Sequence, residues 1–232
     1  MAVYTQLTEA DLNALLADFD LGSLARFEGI DGGIENTNYF VDLNDADGLR
    51  RLVLTLFEEL PYDEMPFFVE LTSYLAARGV PVPAPFKDRF GIALKTLAQR
   101  PALLLPRFNG KPLDGAPEPH HCAQIGTALG RFHNAGADFF MTRQAHRGVF
   151  WWRRESSRVA NVLPPADAAL LQQEVALFNQ LREQDLALPS GVIHGDLFVD
   201  NALFHQDECG NDQLSGIIDL YNACTGYFLY DL

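Results

Sequence analysis

Residues 192–201 constrain this chain more than any other part of its sequence. Apolar residues open this stretch and also follow it, yet it contains four polar groups suited to chemistry: His194, Asp196, Asp200 and Asn201. A carboxylate among apolar neighbours is costly unless it is paired or binds a cation. The stretch therefore predicts a partly buried loop whose polar side chains have a chemical task.

A second apolar segment, residues 215–220, also carries an acid, Asp219. Kinases combine two such segments: one aspartate reaches the attacking hydroxyl, an asparagine five residues later points at a metal ion, and an aspartate on a following strand holds the same metal. The spacing of His194, Asp196 and Asn201, followed by Asp219, fits this arrangement. It predicts Asp196 as a catalytic residue and predicts Asn201 and Asp219 as ligands of Mg²⁺ on ATP.

Gly195 stands where protein kinases have an arginine, and residues 226–232 read Gly-Tyr-Phe-Leu-Tyr-Asp-Leu. The ordered pieces H-G-D-L-x-x-x-N, I-D and G-x-x-x-x-D-L resemble the aminoglycoside-phosphotransferase and choline-kinase-like family, which phosphorylates small molecules. The resemblance implies that His194 braces the catalytic loop beside Asp196. It also implies that Asp231 binds the loop backbone rather than the substrate.

The resemblance further implies an α+β, protein-kinase-like two-lobe fold. Residues 1–106 are expected to form a nucleotide-binding lobe with an antiparallel sheet and one main helix. Residues 107–232 are expected to form a mainly helical catalytic and acceptor lobe, which is incomplete. Apolar periodicity and turn residues predict helices over 8–20, 64–78, 119–135 and 166–184, strands over 24–30, 38–43 and 51–57, and hairpins over 91–106 and 202–219.

The turn after the first predicted strand is rich in glycine and asparagine. Backbone N–H groups of such a loop can approach the phosphates of ATP, which makes Gly32, Gly33, Asn36 and Asn38 candidates for nucleotide binding. An ordinary hairpin turn is the alternative.

The third predicted strand departs from the kinase pattern, because Thr55 stands where kinases have a lysine that contacts the phosphates. Either another cation neutralises the phosphates or the chain manages without one. Glu70, in the next predicted helix, is the candidate for the glutamate that pairs with this lysine, and a surface acid is the alternative. Arg107, in the expected hinge between the lobes, is a further candidate for nucleotide binding.

Three other features have competing interpretations. A core or capping role for His133 is favoured over a catalytic one. The cluster at residues 151–154, Trp-Trp-Arg-Arg, would pack and form surface ion pairs, border a carboxylate-binding pocket, or bind nucleic acid, and packing is favoured. Asp200 would either contact a substrate ammonium or lie exposed, and exposure is favoured.

Charge and composition narrow the class of protein. A net charge of −14 argues against non-specific binding to nucleic acid or anionic membranes. The three cysteines, Cys122, Cys209 and Cys224, are not spaced for zinc or a disulfide framework. The sequence has no apolar run of about 18 residues and no signal-peptide pattern, so a cytoplasmic location is expected. No obligate protein partner is evident from the sequence.

Within the family, the chain most resembles the homoserine kinase branch, on residues 32–40, 53–58, 194–201 and 218–223. This resemblance implies ATP- and Mg²⁺-dependent phosphorylation of the side-chain hydroxyl of L-homoserine, a step of threonine biosynthesis, by a chain shorter than its relatives. A kinase for another small alcohol (an aminoglycoside, choline or methylthioribose) is one alternative. A catalytically inactive nucleotide-binding regulator is the other, although the intact set of Asp196, Asn201 and Asp219 argues against it.

Overall fold

The computed structural model describes residues 3–31, 35–184 and 187–232. The first helix, α1 (Glu9–Leu16), begins at Thr8, whose side chain accepts a hydrogen bond from the backbone N–H of Asp11. The Asp11 carboxylate accepts the backbone N–H of Thr8 in return, which satisfies two groups at the helix start. Helix α1 ends earlier than residue 20, because the chain turns there and places Phe19 and Leu21 in the core.

An antiparallel sheet with the strand order β1-β2-β3-β5-β4 forms the N-terminal part. Its strands are β1 (Ser23–Gly29), β2 (Asn36–Asp45), β3 (Gly48–Phe57), β4 (Lys95–Leu97) and β5 (Arg100–Pro106). The tight turn from Asp45 to Gly48 sets the register of β2 and β3, which places Asn38 opposite Thr55. The alternating apolar residues of β2 and β3 pack against the leucines of α1 and form the first core.

Helix α2 (Met65–Ala76) lies in a second core, which joins the sheet to the C-terminal part. Its aromatic residues make edge-on contacts with the C-terminal part. The rings of Phe67 and Phe139 are 5.7 Å apart, and those of Phe68 and Tyr221 are 5.8 Å apart. Phe132, on the following helix, is fully buried in the same core. The position of α2 is therefore tied to the segment that follows Asp219.

The C-terminal part combines helices with two small antiparallel sheets. The helices are α3 (Pro119–Gly136), α4 (Val149–Val159) and α5 (Pro165–Glu183). Strand β6 (Ser190–Ile193) pairs with β9 (Cys224–Tyr227), and β7 (Ala202–Gln206) pairs with β8 (Asp212–Ile217). Short 3₁₀ turns cover Val199–Asn201, Leu220–Asn222 and Phe228–Asp231.

The expected α+β, protein-kinase-like architecture is confirmed. Helix α4 was not predicted from the sequence, and the Trp-Trp-Arg-Arg cluster lies on it. Trp152 packs edge-on against Phe178 of α5 with ring centres 4.8 Å apart, as the packing interpretation expects. Strand β5 ends at Pro106, but the second core draws on residues from both sides of it, and a lobe boundary at residue 106 stays a prediction.

In the part of the chain that the structure describes, no helix is both long enough and apolar enough to cross a membrane.

Asp88 organises the connection from α2 to β4. Its Oδ1 atom accepts the backbone N–H groups of Phe90 at 2.9 Å and Ile92 at 2.8 Å. Its Oδ2 atom pairs with Lys95, whose Nζ also lies 2.9 Å from Asp18, just after α1. The hydrogen bond from Lys95 outweighs the opposing effect of burial and, with the backbone donors, holds the pKa of Asp88 below its ordinary value of 3.8.

The substitution Asp88→Asn should lower the melting temperature at pH 7, because an amide cannot replace the charged acceptor. A carboxylate with a lowered pKa stabilises the fold above its unfolded-state pKa, and this stabilisation is lost as the pH falls through the folded-state pKa. The difference in melting temperature from wild type should therefore shrink as the pH falls below 3.8. Melting followed by circular dichroism from pH 3 to pH 7 tests this expectation.

Asp47→Asn, in the exposed turn between β2 and β3, is the matched control and should melt like the wild type. A difference between Asp88→Asn and wild type that stays constant over the whole pH range would contradict the assigned charge.

Candidate active site

The loop after β6 is held at its start by a single buried carboxylate, that of Asp231. Its two oxygens accept the backbone N–H groups of His194 and Gly195, each at 2.8 Å. His133 Nε2 lies 2.8 Å from the same carboxylate, and the His133 ring stacks on Phe228 at 4.2 Å. Asp231 thus binds the loop backbone, and His133 supports it from α3, in agreement with the roles expected for both residues.

His194 connects this loop to β8. The side chain is fully buried, its Nε2 atom lies 3.0 Å from the carbonyl oxygen of Ile218, and its Nδ1 atom lies 3.3 Å from the backbone nitrogen of Asp196. These partners assign the hydrogen to Nε2 and leave Nδ1 as an acceptor. Burial lowers the pKa of His194, so the ring is neutral at pH 7. This geometry fits a bracing role and leaves no nitrogen free to carry a proton.

Gly195 allows the loop to lie directly against the turn at Leu220–Asn222. Its φ of +78° is in the left-handed region, and a Cβ atom there would lie 2.8 Å from the carbonyl oxygen of Asn222. A larger residue would push the two segments apart. The close approach brings Asn222 Nδ2 to 3.3 Å from Asp196 Oδ2, so Asn222 orients the predicted catalytic carboxylate.

Asn201 is nearly buried, and its neighbours fix the orientation of its amide. The Nδ2 group donates to the backbone carbonyl oxygen of Asp196 at 2.8 Å, and the backbone carbonyl oxygen of Asn201 accepts the N–H of Ile218 at 2.9 Å. The amide oxygen is therefore the end of the side chain that remains for a ligand, as a metal-binding role requires.

Asp219 follows β8 in a strained conformation, with φ 61° and ψ 53°. A residue other than glycine in this left-handed region costs about 1–2 kcal/mol, and such strain concentrates at functional sites. Ile218, the preceding residue, bonds to both His194 and Asn201. The strand end therefore delivers Asp219 to the same place as Asp196 and Asn201.

Four acids act on one another in this region. Burial, together with the charges of Asp200 and Glu35, raises the pKa of Asp196. Desolvation by the surrounding groups and the charges of Asp196, Glu35 and Asp200 raise the pKa of Asp219 to about 6, although the residue as a whole is exposed. A cation would relieve this repulsion, and a site built from carboxylate and amide oxygens suits a hard divalent ion such as Mg²⁺.

His120, His121 and Asp212 form a second group, whose ligand atoms lie within 4.8 Å of one another. His121 uses both ring nitrogens within the protein: Nδ1 accepts the backbone N–H of Glu118 at 2.9 Å, and Nε2 lies 3.1 Å from Asp212. Since neither nitrogen of His121 is left for an ion, this group links α3 to β8 rather than forming a metal site.

A neutral pair occupies the position of the kinase lysine. Thr55 Oγ1 donates to Asn38 Oδ1 at 2.7 Å, across the register of β2 and β3. Tyr221 lies beside Thr55, and burial raises the pKa of its phenol, which stays protonated. The side chains here contribute hydrogen bonds but no positive charge.

The other residues predicted to bind nucleotide are spread over the sheet and α2. Gly32 and Gly33 lie outside the described residues. Asn36 is buried in β2, Arg107 is exposed with its guanidinium 3.7 Å above the ring of Phe40, and Glu70 is exposed on α2. A nucleotide-binding role for these residues stays a prediction.

Arg143, which the sequence analysis missed, binds α2 to the turn after Asp219. Its Nη2 and Nε atoms lie 2.6 and 3.2 Å from Glu64 Oε2, and its Nη1 atom donates to the carbonyl oxygen of Ala223 at 3.2 Å. Arg143 and Glu64 are 79 positions apart, so no local pattern could have paired them. The sequence analysis also missed the contact of Asn222 with Asp196. The signal that could have indicated it is the position of Asn222 three residues after Asp219.

Solved structures of small-molecule kinases share this fold. The chain superimposes on a spectinomycin phosphotransferase in complex with ADP and spectinomycin with a TM-score of 0.69, at 15% identity over 98% of this chain and 73% of that chain. An amicoumacin kinase in complex with AMP-PNP, Ca²⁺ and Ami gives a TM-score of 0.66, at 18% identity over 94% of this chain and 69% of that chain.

Sequence comparison identifies closer relatives. Residues 26–232 match the phosphotransferase enzyme family. The chain is 41% identical to a homoserine kinase of Pseudomonas aeruginosa and 37% identical to a homoserine kinase of Cupriavidus metallidurans. It aligns over its whole length in both cases and spans 70% of the first and 71% of the second. The chain therefore belongs to the phosphotransferase enzyme family and, within it, to the group of the homoserine kinases.

Proposed function

We propose that this chain carries out ATP-dependent phosphorylation of the side-chain hydroxyl of L-homoserine. The observation that carries the proposal is the convergence of Asp196, Asn201 and Asp219 at one point, in a chain 37–41% identical to proteins named homoserine kinase. Mg²⁺ and a cytoplasmic location, where ATP is available, are parts of the same proposal.

Asp196 would orient the acceptor hydroxyl and take its proton. Asn222 holds one carboxylate oxygen of Asp196, and among the described residues no donor occupies the other oxygen, which is left for the hydroxyl. Burial raises the pKa of Asp196 and so makes it a stronger base than an exposed aspartate. His194 and Asp231 keep the loop backbone in place during the transfer.

The Asn201 amide oxygen and the Asp219 carboxylate would hold Mg²⁺ against the phosphates of ATP. The ion would supply charge neutralisation at the transferred phosphoryl group. The chain itself contributes positioning. The backbone N–H of Ile218, just after β8, donates to the backbone carbonyl oxygen of Asn201, and the carbonyl oxygen of Ile218 accepts from His194, which holds the two ligand segments together.

ADP release with Mg-ATP and a panel of L-homoserine, L-serine, choline and an aminoglycoside tests the proposal directly. Turnover with L-homoserine alone would support it. Turnover with a different acceptor would keep the kinase activity and discard the substrate, while ATP binding without turnover of any acceptor would favour a nucleotide-binding regulator.

Replacing the catalytic carboxylate, Asp196→Asn, should lower kcat by about 10²–10⁴-fold, because an amide cannot accept the hydroxyl proton. The melting temperature should stay near that of wild type. Asp47→Asn, an exposed acid in the turn between β2 and β3, is the matched control and should keep the wild-type activity. Steady-state kinetics of both variants tests this expectation. Near-normal turnover of Asp196→Asn would show that Asp196 does not accept the proton of the acceptor hydroxyl.

The substitution Asp231→Asn should loosen the catalytic loop, because one amide oxygen cannot replace two carboxylate oxygens that accept backbone N–H groups. A buried N–H group left without an acceptor costs about 1–3 kcal/mol. We expect a lower melting temperature and faster hydrogen exchange at the amides of His194 and Gly195. Exchange rates unchanged from wild type would show that another group holds the loop.

A further inference from the structure

A cavity of about 620 Å³ opens beside the catalytic loop. Gly195, which precedes Asp196 in the chain, and Asn222, which contacts the Asp196 carboxylate, are among the residues that line it. The segment before α4 lines another side and contributes Arg147. An acceptor molecule in this cavity would therefore lie beside Gly195 and Asn222, which adjoin the catalytic Asp196, and would meet the positive charges of Arg147 and Arg182.

Arg147 forms an ion pair with Glu35, a residue 112 positions earlier in the chain. Glu35 lies just before β2, so this pair connects the N-terminal sheet to the segment that lines the cavity. The side chains are 52% and 38% exposed. An ion pair with this much solvent contact contributes little to stability, so stability alone does not explain the pairing.

Glu35 also acts on the reacting centre. Its ion pair with Arg147 holds it against a residue that lines the cavity, and its negative charge adds to the rise in the pKa of both Asp196 and Asp219. The pair of Glu35 and Arg147 thus presents one negative and one positive group near the point where the acceptor hydroxyl must lie.

We propose, on the basis of the function proposed above, that Arg147 and Glu35 recognise the zwitterionic head of the amino-acid acceptor. The Arg147 guanidinium binds the α-carboxylate through its planar fork, and the Glu35 carboxylate binds the α-ammonium. Opening one ion pair forms two, and the net charge of the cavity is unchanged.

This arrangement selects against other acceptors of the superfamily. Choline and aminoglycosides carry positive charge but no carboxylate, so they would leave Arg147 without a partner while displacing it from Glu35. L-Homoserine has two methylene groups between its α-carbon and its hydroxyl, which keeps the head within a few ångströms of the reacting oxygen.

Two truncated acceptors separate the roles of the pair. 3-Amino-1-propanol is L-homoserine without the carboxylate, and 4-hydroxybutanoate is L-homoserine without the ammonium. Arg147→Ala should lower kcat/KM for L-homoserine about 100-fold and leave 3-amino-1-propanol within about threefold of wild type. Glu35→Gln should likewise lower kcat/KM for L-homoserine and leave kcat/KM for 4-hydroxybutanoate within about threefold of wild type.

The pair Arg26 and Glu28 on β1 offers matched controls, since it is another exposed ion pair and does not line the cavity. Arg26→Ala and Glu28→Gln should behave like wild type with every acceptor. Calorimetric binding of L-2-aminobutyrate, which has the same head but no hydroxyl, gives a readout independent of turnover. We expect its affinity to fall in Arg147→Ala and to persist in Arg26→Ala.

The possible failures are distinguishable. Wild-type protein that does not phosphorylate L-homoserine overturns the proposed function and this inference together. Wild-type protein that is active on L-homoserine, with Arg147→Ala lowering kcat/KM equally for all acceptors or raising KM for ATP, overturns this inference alone and assigns Arg147 to the phosphates or to the fold.

Discussion

The catalytic loop depends on one buried carboxylate, that of Asp231. It accepts two consecutive backbone N–H groups and is itself held by His133. Hydrogen bonds to a charged acceptor are stronger than neutral ones, and a buried carboxylate without such donors would be costly. This interaction sets the path of the backbone at His194 and Gly195. The positions of Asp196 and Asn201 follow from that path.

The site gathers negative charge, of which the described residues neutralise only a part, through the ion pair of Glu35 with Arg147. Asp196, Asp200, Asp219 and Glu35 repel one another, and Thr55 contributes no positive charge where kinases have a lysine. Binding of a divalent cation would therefore stabilise the folded protein as well as the substrate complex. The ion pair of Arg147 and Glu35 brings the positive charge to the acceptor side of the site instead.

Local spacing made part of the site predictable. Asp196 and Asn201 lie in one loop, so their separation in the chain limits their separation in space. The fold class was predictable because the motifs at residues 194–201, 218–219 and 226–232 follow one another in the order found in the family. Helix α4 escaped prediction because its arginines and serines break the apolar periodicity around the two tryptophans. The contacts of Arg143 with Glu64 and of Arg147 with Glu35 escaped because each joins residues at least 79 positions apart.

The amino-acid sequence by itself determined the chemistry that is available: an aspartate, an asparagine and a second aspartate at kinase spacing, and a glycine that lets two segments touch. Tertiary structure alone decided how these groups are used. It buried His194 and so made it a neutral brace. It raised the pKa of Asp219 by desolvation and by placing other acids around it, and it brought Arg147 to the cavity. Burial and charge proximity depend on the packing of distant segments, which short-range sequence patterns do not encode.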